Sequence, residues 1–186
     1  MRYFFTADFH LGHDNIRRYC SRPFQSLEEM DETIIKRFNE RMKPEDFCFF
    51  IGDFCFRSSS DKGEGTPKKA EFYRKQLNCK NIIFIKGNHD KRSNSLNTPI
   101  RRLVIELGGH VINLVHDPEF ADVSYEINFC GHIHERWKFK RVRKGGQFTD
   151  AVNAGVDVWD FYPMTFEEIM KEYYRWRKRE NLTKIS

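Results

Sequence analysis

The sequence lacks the cysteine spacing of a cross-linked or thiolate-metal protein. Its five cysteines, Cys20, Cys48, Cys55, Cys79 and Cys130, are odd in number, and no two form a C-x-x-C pair. That argues against a disulfide framework and against a thiolate zinc site. No apolar run approaches the roughly 18 residues of a membrane span. The opening MRYFFTADFH carries one basic residue, and Asp8 and His10 interrupt its apolar stretch too early for a signal peptide. The reducing cytoplasm is therefore the expected compartment. There is no internal repeat, no long low-complexity stretch and no compositional break that would mark a linker. The 186 residues are read as one domain, 1–186.

Apolar material is not lacking. The hydrophobic class makes up 39% of the chain and aromatics 15%, enough to build a core and to exclude wholesale disorder. The formal charge of +5 favours anionic partners in general. It does not single out nucleic acid, because a solvated basic surface gives the same number.

Short β-rich apolar runs alternate with helical patterns. Residues 3–7, 47–51, 82–85, 111–115 and 127–130 read as buried strands. Leu27, Met30, Ile34, Phe38 and Met42 recur at helical spacing, with Ser26 and Glu29 as a capping box and Pro44 beyond the end. The pattern predicts further helices over 66–77 and over 99–107, the latter stopped by Gly108-Gly109. A last helix opens at Thr165 and Glu168, with Ile169, Tyr173 and Trp176 on its buried face. The first half thus resolves into β-α-β units with a largely parallel sheet. Residues 136–144, Gly145-Gly146 and 147–154 predict a hairpin. Residues 57–65 read as an exposed loop, and His110 as a loop residue.

The chemistry gathers where strands end. Asp8-Phe9-His10, Gly52-Asp53, Gly87-Asn88-His89-Asp90, His116 and Gly131-His132-Ile133-His134 each follow such a run. Ligands of open α/β sheets bind beyond the carboxyl ends of the strands. Five strand ends thus bring carboxylate, amide and imidazole groups to one edge. Residues i and i+2 of a strand point the same way, which lets Asp8 converge with His10 and His132 with His134. Nitrogen and oxygen donors suit manganese, iron or zinc better than a thiophilic metal. Two such ions about 4 Å apart can clamp a phosphoryl group and bind a hydroxide. Any one of these residues alone could be a cap or a turn residue, but their joint occurrence at strand ends favours a metal site.

These five blocks, in this order from residue 8 to residue 134, resemble the calcineurin-like metallophosphoesterase superfamily. Residues 8–15 and 153–163 look closer to its branch of small bacterial and phage phosphoesterases. The resemblance implies an α/β fold of four layers, α-β-β-α, with two mixed β-sheets face to face and helices outside. It also implies two divalent metal ions, drawn from Mn²⁺, Fe²⁺ or Fe³⁺, Zn²⁺ and Ni²⁺. Asp8, His10 and His134 would hold one, Asn88, His116 and His132 the other, and Asp53 would bridge them. His89 would face the scissile phosphate as stabiliser or general acid, with Asp90 orienting its ring. The activity implied is hydrolysis of a phosphate ester by metal-activated hydroxide, with a phosphodiester as the expected substrate.

Two further residues are read as substrate-facing: His13, three positions past His10, and Arg57, close behind Asp53. The run RWKFKRVRK, residues 136–144, sets six basic residues around Trp137 and Phe139. Such interleaving suits a nucleic-acid backbone and would make the chain a nuclease. Lysines that discourage pairing at a hairpin edge explain the run as well, and that reading is preferred. A non-catalytic scaffold that keeps the fold is the remaining alternative; it should lack ligands, whereas every position here is filled. The expected partner is a phosphate ester, with nucleic acid or a nucleotide left open, no membrane, and the oligomeric state open.

Overall fold

The computed structural model describes residues 1–56, 68–90, 96 and 98–182. Strands β1 (Tyr3–Thr6), β2 (Phe47–Ile51) and β3 (Asn81–Ile85) pair in parallel in the order β3-β2-β1. Between them run the helices α1 (Asp14–Tyr19), α2 (Leu27–Arg41) and α3 (Ala70–Arg74). The second sheet holds β4 (Arg102–Leu107), β5 (His110–Val115), β6 (Ile127–Cys130), β7 (Phe139–Lys144) and β8 (Gln147–Asn153), in the order β4-β5-β6-β8-β7. Its inner pairs β5-β6 and β6-β8 are parallel and its edge pairs antiparallel. Finally β9 (Met164–Thr165) returns to pair antiparallel with β1 and leads into α4 (Phe166–Arg179). Two mixed sheets flanked by helices are the expected architecture.

Strand alternation explains the layering. Phe4, Cys48 and Phe50 pack with Met30, Ile34 and Phe38 of α2 and Tyr73 of α3. Phe5, Phe49 and Ile51 face the other way, onto Ile112, Leu114, Ile127 and Phe129 of the second sheet. β1 and β2 are buried on both faces past their first residues, which is why they read as unbroken apolar runs, while β3 at the sheet edge is half-buried. Ile169, Met170, Tyr173 and Trp176 of α4 join the same inter-sheet cluster. The last helix opens at Thr165 as expected, and Thr165 and Glu168 form a capping box there. At α2, Ser26 Oγ accepts from the Glu29 N–H at 3.0 Å, but the Glu29 carboxylate accepts from the N–H of Gln25 and not from Ser26.

One predicted helix is a strand. Within 99–107, Arg102–Leu107 form β4, whose residues alternate between exposed and half-buried along its length. Gly108 and Gly109, read as a helix stop, are the two-residue turn of a hairpin that pairs Leu107 with His110. Both have positive φ, 58° and 77°, the condition of the tight turn whose twist matches paired strands. His110 is accordingly a strand residue, and its Nε2 lies 2.8 Å from the Tyr174 hydroxyl. The helix expected over 66–77 is shorter, Ala70–Arg74, and its expected start lies outside the described residues.

Candidate metal centre and active-site cleft

The donor residues do lie beyond the strands, but not in strand conformation. The first sheet's β1 stops at Thr6 and the second sheet's β6 at Cys130. Just past them, Ala7 forms a parallel bridge with Gly155, which follows β8, so the two sheets are tied together at this edge. Asp8, His10, Asp53, His132 and His134 all have left-handed backbones, with φ of 60°, 52°, 57°, 71° and 48°. They are five of the nine non-glycine residues with positive φ among those described. The pleat expected to aim Asp8 with His10, and His132 with His134, is replaced by successive left-handed turns. Such backbones cost on the order of 1–3 kcal/mol each and persist only where the surroundings enforce them.

The enforcement is visible. The N–H of His132 donates to both Asp8 oxygens, at 3.0 and 2.9 Å. The N–H of His89 donates to Asp53 Oδ1 at 2.8 Å. A Cβ on Gly87 would overlap Asp53, so only glycine lets that carboxylate lie against the loop that carries Asn88 and His89.

The side chains converge from both sheets. Asp53 Oδ2 lies 3.2 Å from His116 Nε2 and 3.5 Å from His10 Nε2. Asn88 Oδ1 lies 2.9 Å from His116 Nε2 and 3.0 Å from His132 Nδ1. Asp8, His10 and His134 bring donor atoms within 4.8 Å of one another, and so do Asp53, His116 and His132. His116 Nδ1 faces the Ile51 carbonyl at 2.9 Å, which leaves Nε2 aimed at two acceptor oxygens. His10 Nε2 is buried and has no hydrogen-bond partner among the described residues.

Protonation follows from this crowding. Burial opposes charge on His116, but its hydrogen bond to Asp53 and the charge of Asp8 outweigh it and push the ring up to about 9. Burial likewise opposes charge on His134, and its hydrogen bond to Asp157 pushes it up to about 10. Burial, with the nearby charges of His134 and Arg22, drives His10 well below its ordinary value. A proton on His116 reconciles Asn88 Oδ1 with Asp53 Oδ2; a divalent cation would do so with more charge. The orphaned His10 nitrogen and these facing acceptors fit a metal ion.

The family comparison agrees. The model of the calcineurin-like phosphoesterase family matches residues 1–179. The chain belongs to this family. An uncharacterized protein of Methanocaldococcus jannaschii is 33% identical over 178 residues, covering 90% of this chain and 89% of its own. The crystal structure of an Aquifex aeolicus protein of unknown function shares the fold, with a TM-score of 0.66 and 23% identity over 91% of this chain and 98% of that one. The protein is thus a metal-dependent phosphoesterase acting on phosphate esters. Among the described residues, no helix is long and apolar enough to cross a membrane.

Two residues of this calcineurin-like phosphoesterase, Asp90 and His13, sit differently from their sequence reading. Asp90, expected to orient the His89 ring, accepts instead from the N–H groups of Asp53 (2.7 Å), Phe54 (3.1 Å) and Gly87 (2.9 Å), clamping the two loops together. Burial outweighs these bonds and raises its carboxyl to about 6. His13, read as substrate-facing, lines the cleft, but its Nδ1 meets His10 Nδ1 at 3.2 Å and its ring stacks on Phe56. Burial and the charge of His89 push it down to about 4, so it stays neutral and suits holding the His10 ring. His89 lines the cleft with its ring centroid 5.1 Å from that of His10. Arg57 lies outside the described residues.

The sequence reading missed the support behind His134. Asp157 Oδ2 lies 3.0 Å from His134 Nδ1, and Arg22 grips Asp157 with two bonds of 2.7 and 2.9 Å. Arg22 also donates to the carbonyls of Asp8 (2.6 Å) and Phe9 (2.9 Å), so one buried guanidinium braces two donor loops. Asn153 donates to the His134 carbonyl at 2.7 Å. Asp157 follows Gly155 just past a strand, the pattern of the other clusters, and that signal could have found it. Nothing local marks Arg22.

A cleft of about 260 Å³ opens beside the cluster, lined by His10, His13, His89, His132 and His134 and by Ile16, Tyr19, Cys20, Ile133, Glu135 and Arg136. The basic hairpin contributes little to it. Lys138 pairs with Glu172, Arg141 with Asp150, and Lys144 with the carbonyls of Glu119 and Ala121. Phe139 packs into the interior against Trp176.

Proposed function

We propose that the chain is a single-domain phosphodiesterase with two divalent ions, Asp8, His10 and His134 holding one, Asn88, His116 and His132 the other, and Asp53 lying between them. Bound ions of this kind supply Lewis-acid charge and a water activated at neutral pH. Asp8 and Asp53, held by backbone N–H groups, keep their oxygens turned toward the imidazoles. His89 lines the cleft and serves as proton donor to the departing oxygen, or as a stabiliser of charge on the phosphoryl group. Asp90 and Asp157 act as positioning residues.

The observation that favours a diester is the apolar surface that Ile16, Tyr19 and Ile133 add to the cleft lining. A second ester substituent covers that surface, whereas a bare phosphoryl group leaves it wet. A nuclease reading draws little from the hairpin, where three of the six basic side chains already bond to the protein's own oxygens.

The test is steady-state hydrolysis of bis(4-nitrophenyl) phosphate against 4-nitrophenyl phosphate and oligonucleotides, with Mn²⁺, Ni²⁺, Zn²⁺ or Mg²⁺. The diester should be preferred in kcat/KM by about tenfold or more, roughly 1.4 kcal/mol of transition-state stabilisation. A preference for the monoester with every metal would refute the diester reading.

A further inference from the structure

Beyond the histidines, the cleft lining has its own chemistry. Tyr19 ends α1 and is 71% exposed, although its ring lines the cleft. Its one ring contact among the described residues is edge-on to His13, at 6.4 Å between centroids, so a broad face stays open. A single exposed aromatic on a surface needs no explanation. One at the lip of a catalytic cleft offers a flat apolar face beside the reacting group, and flat rings stack on such faces. Arg136 lines the same cleft, is exposed, and its guanidinium has no hydrogen bond or ion pair among the described residues. It stands two positions past His134 in the short helical turn His134–Arg136, while its neighbours Lys138, Arg141 and Lys144 are all engaged.

We propose that Tyr19 and Arg136 form a subsite for the nucleobase of a nucleotide-type ester. The phosphoryl group lies at the histidine and aspartate cluster, the base stacks on Tyr19, and Arg136 donates to acceptor atoms on the base edge. This deepens the phosphodiesterase reading and rests on the same placement of the phosphoryl group. Size sets the limit. The cleft of about 260 Å³ lies just under the range of roughly 300–1,000 Å³ typical of small-molecule pockets, enough for one nucleotide unit. A longer strand would need a continuing basic track, which the engaged hairpin does not provide. Stacking accepts any base, so the subsite selects for a flat ring over an alkyl group and not for one base over another.

The experiment measures equilibrium binding of two products, adenosine 5′-monophosphate and ribose 5-phosphate, to the full chain saturated with Mn²⁺. The two share the ribose phosphate and differ at C1, where one carries adenine and the other a hydroxyl, so the ratio of their Kd values reports on the subsite. The wild type should bind the nucleotide about tenfold more tightly, within the range of one base–aromatic stack. Tyr19→Ala should bring the ratio close to one, Tyr19→Phe should keep it, and Arg136→Ala should lower it in part. A wild-type ratio near one, undetectable nucleotide binding, or a ratio that Tyr19→Ala leaves intact overturns the proposal. The ratio is read at equilibrium on products. A monoester preference in the hydrolysis panel would therefore sink the diester reading while leaving the subsite standing.

Discussion

The two ends of the first sheet are built to opposite rules. At the end where β1 and β2 begin, Asp46 accepts from the Arg2 N–H (2.9 Å), the Arg2 guanidinium (2.7 Å) and the Lys43 N–H (2.9 Å). Its carbonyl in turn takes the Cys79 thiol at 3.2 Å and the Asn81 amide at 3.3 Å. Every polar group of Asp46 has a partner, and none of these residues has a left-handed backbone. At the end where the strands stop, five donors sit in left-handed turns, two acceptor oxygens crowd the single Nε2 of His116, and Nε2 of His10 has no hydrogen-bond partner among the described residues. The lesson is a division of labour. One edge lowers the energy of the fold, and the other holds groups in an arrangement that a cation and a phosphate ester complete. Natural proteins break local rules where function needs it.

The largest effect should come from the chemistry edge. His89→Ala is expected to lower kcat by about 10²- to 10⁴-fold on an unactivated ester, the usual worth of a general acid. The loss should shrink on a nitrophenyl ester, whose departing oxygen needs less protonation. Metal content should be unchanged, because His89 is assigned no ion; a variant that loses metal would recast the residue as structural. Kinetics on both esters, with metal analysis of the same sample, decides.

Next comes the support behind the edge. Asp157→Asn removes the carboxylate that fixes His134 through Nδ1. Metal affinity should drop about 10- to 100-fold, the usual effect of losing a ligand's own hydrogen-bond partner. Chelator competition measures it, and the melting point of the metal-free variant separates this effect from unfolding, since Arg22 is left without its buried partner. Unaltered affinity would show that His134 needs no such brace.

The smallest effect belongs to the opposite end. Burial alone would raise the Asp46 carboxyl, but the hydrogen bonds from Arg2 outweigh it and hold it at about 2. The folded value lies below the unfolded one, so the stabilisation is complete above about pH 4 and lost as pH falls toward 2. Arg2 is half exposed, which screens the pair. Asp46→Asn should therefore cost about 1–2 kcal/mol at neutral pH and flatten the acid limb of the stability curve, with kcat unaltered. Urea unfolding at pH 7 and pH 3 checks this; an equal cost at both pH values would contradict it.

What the sequence revealed follows the same division. The donor blocks were legible because each is contiguous and follows an apolar run, so Asp8, Asp53, Asn88 and His132 could be grouped before any contact was known. How they converge was not legible, since a left-handed turn at Asp8 or His134 leaves no trace in residue pattern. Arg22 and Asp157 were invisible as a pair because 135 residues separate them. The Asp90 carboxylate points to backbone N–H groups, and backbone partners carry no sequence identity. The stretch 99–107 misled because a short apolar run suits either period, and a glycine pair ends a helix as readily as it turns a hairpin.

Metal stoichiometry tests the central claim most directly, that the strained edge is a shared site for two ions. Purified chain and its Asp53→Asn variant, stripped with chelator and reloaded with Mn²⁺, are analysed for bound metal per chain beside phosphodiester hydrolysis. The account predicts two ions in the wild type, and one weakly held ion or none in the variant, with activity lost. Two tightly bound ions and normal turnover in Asp53→Asn would contradict it.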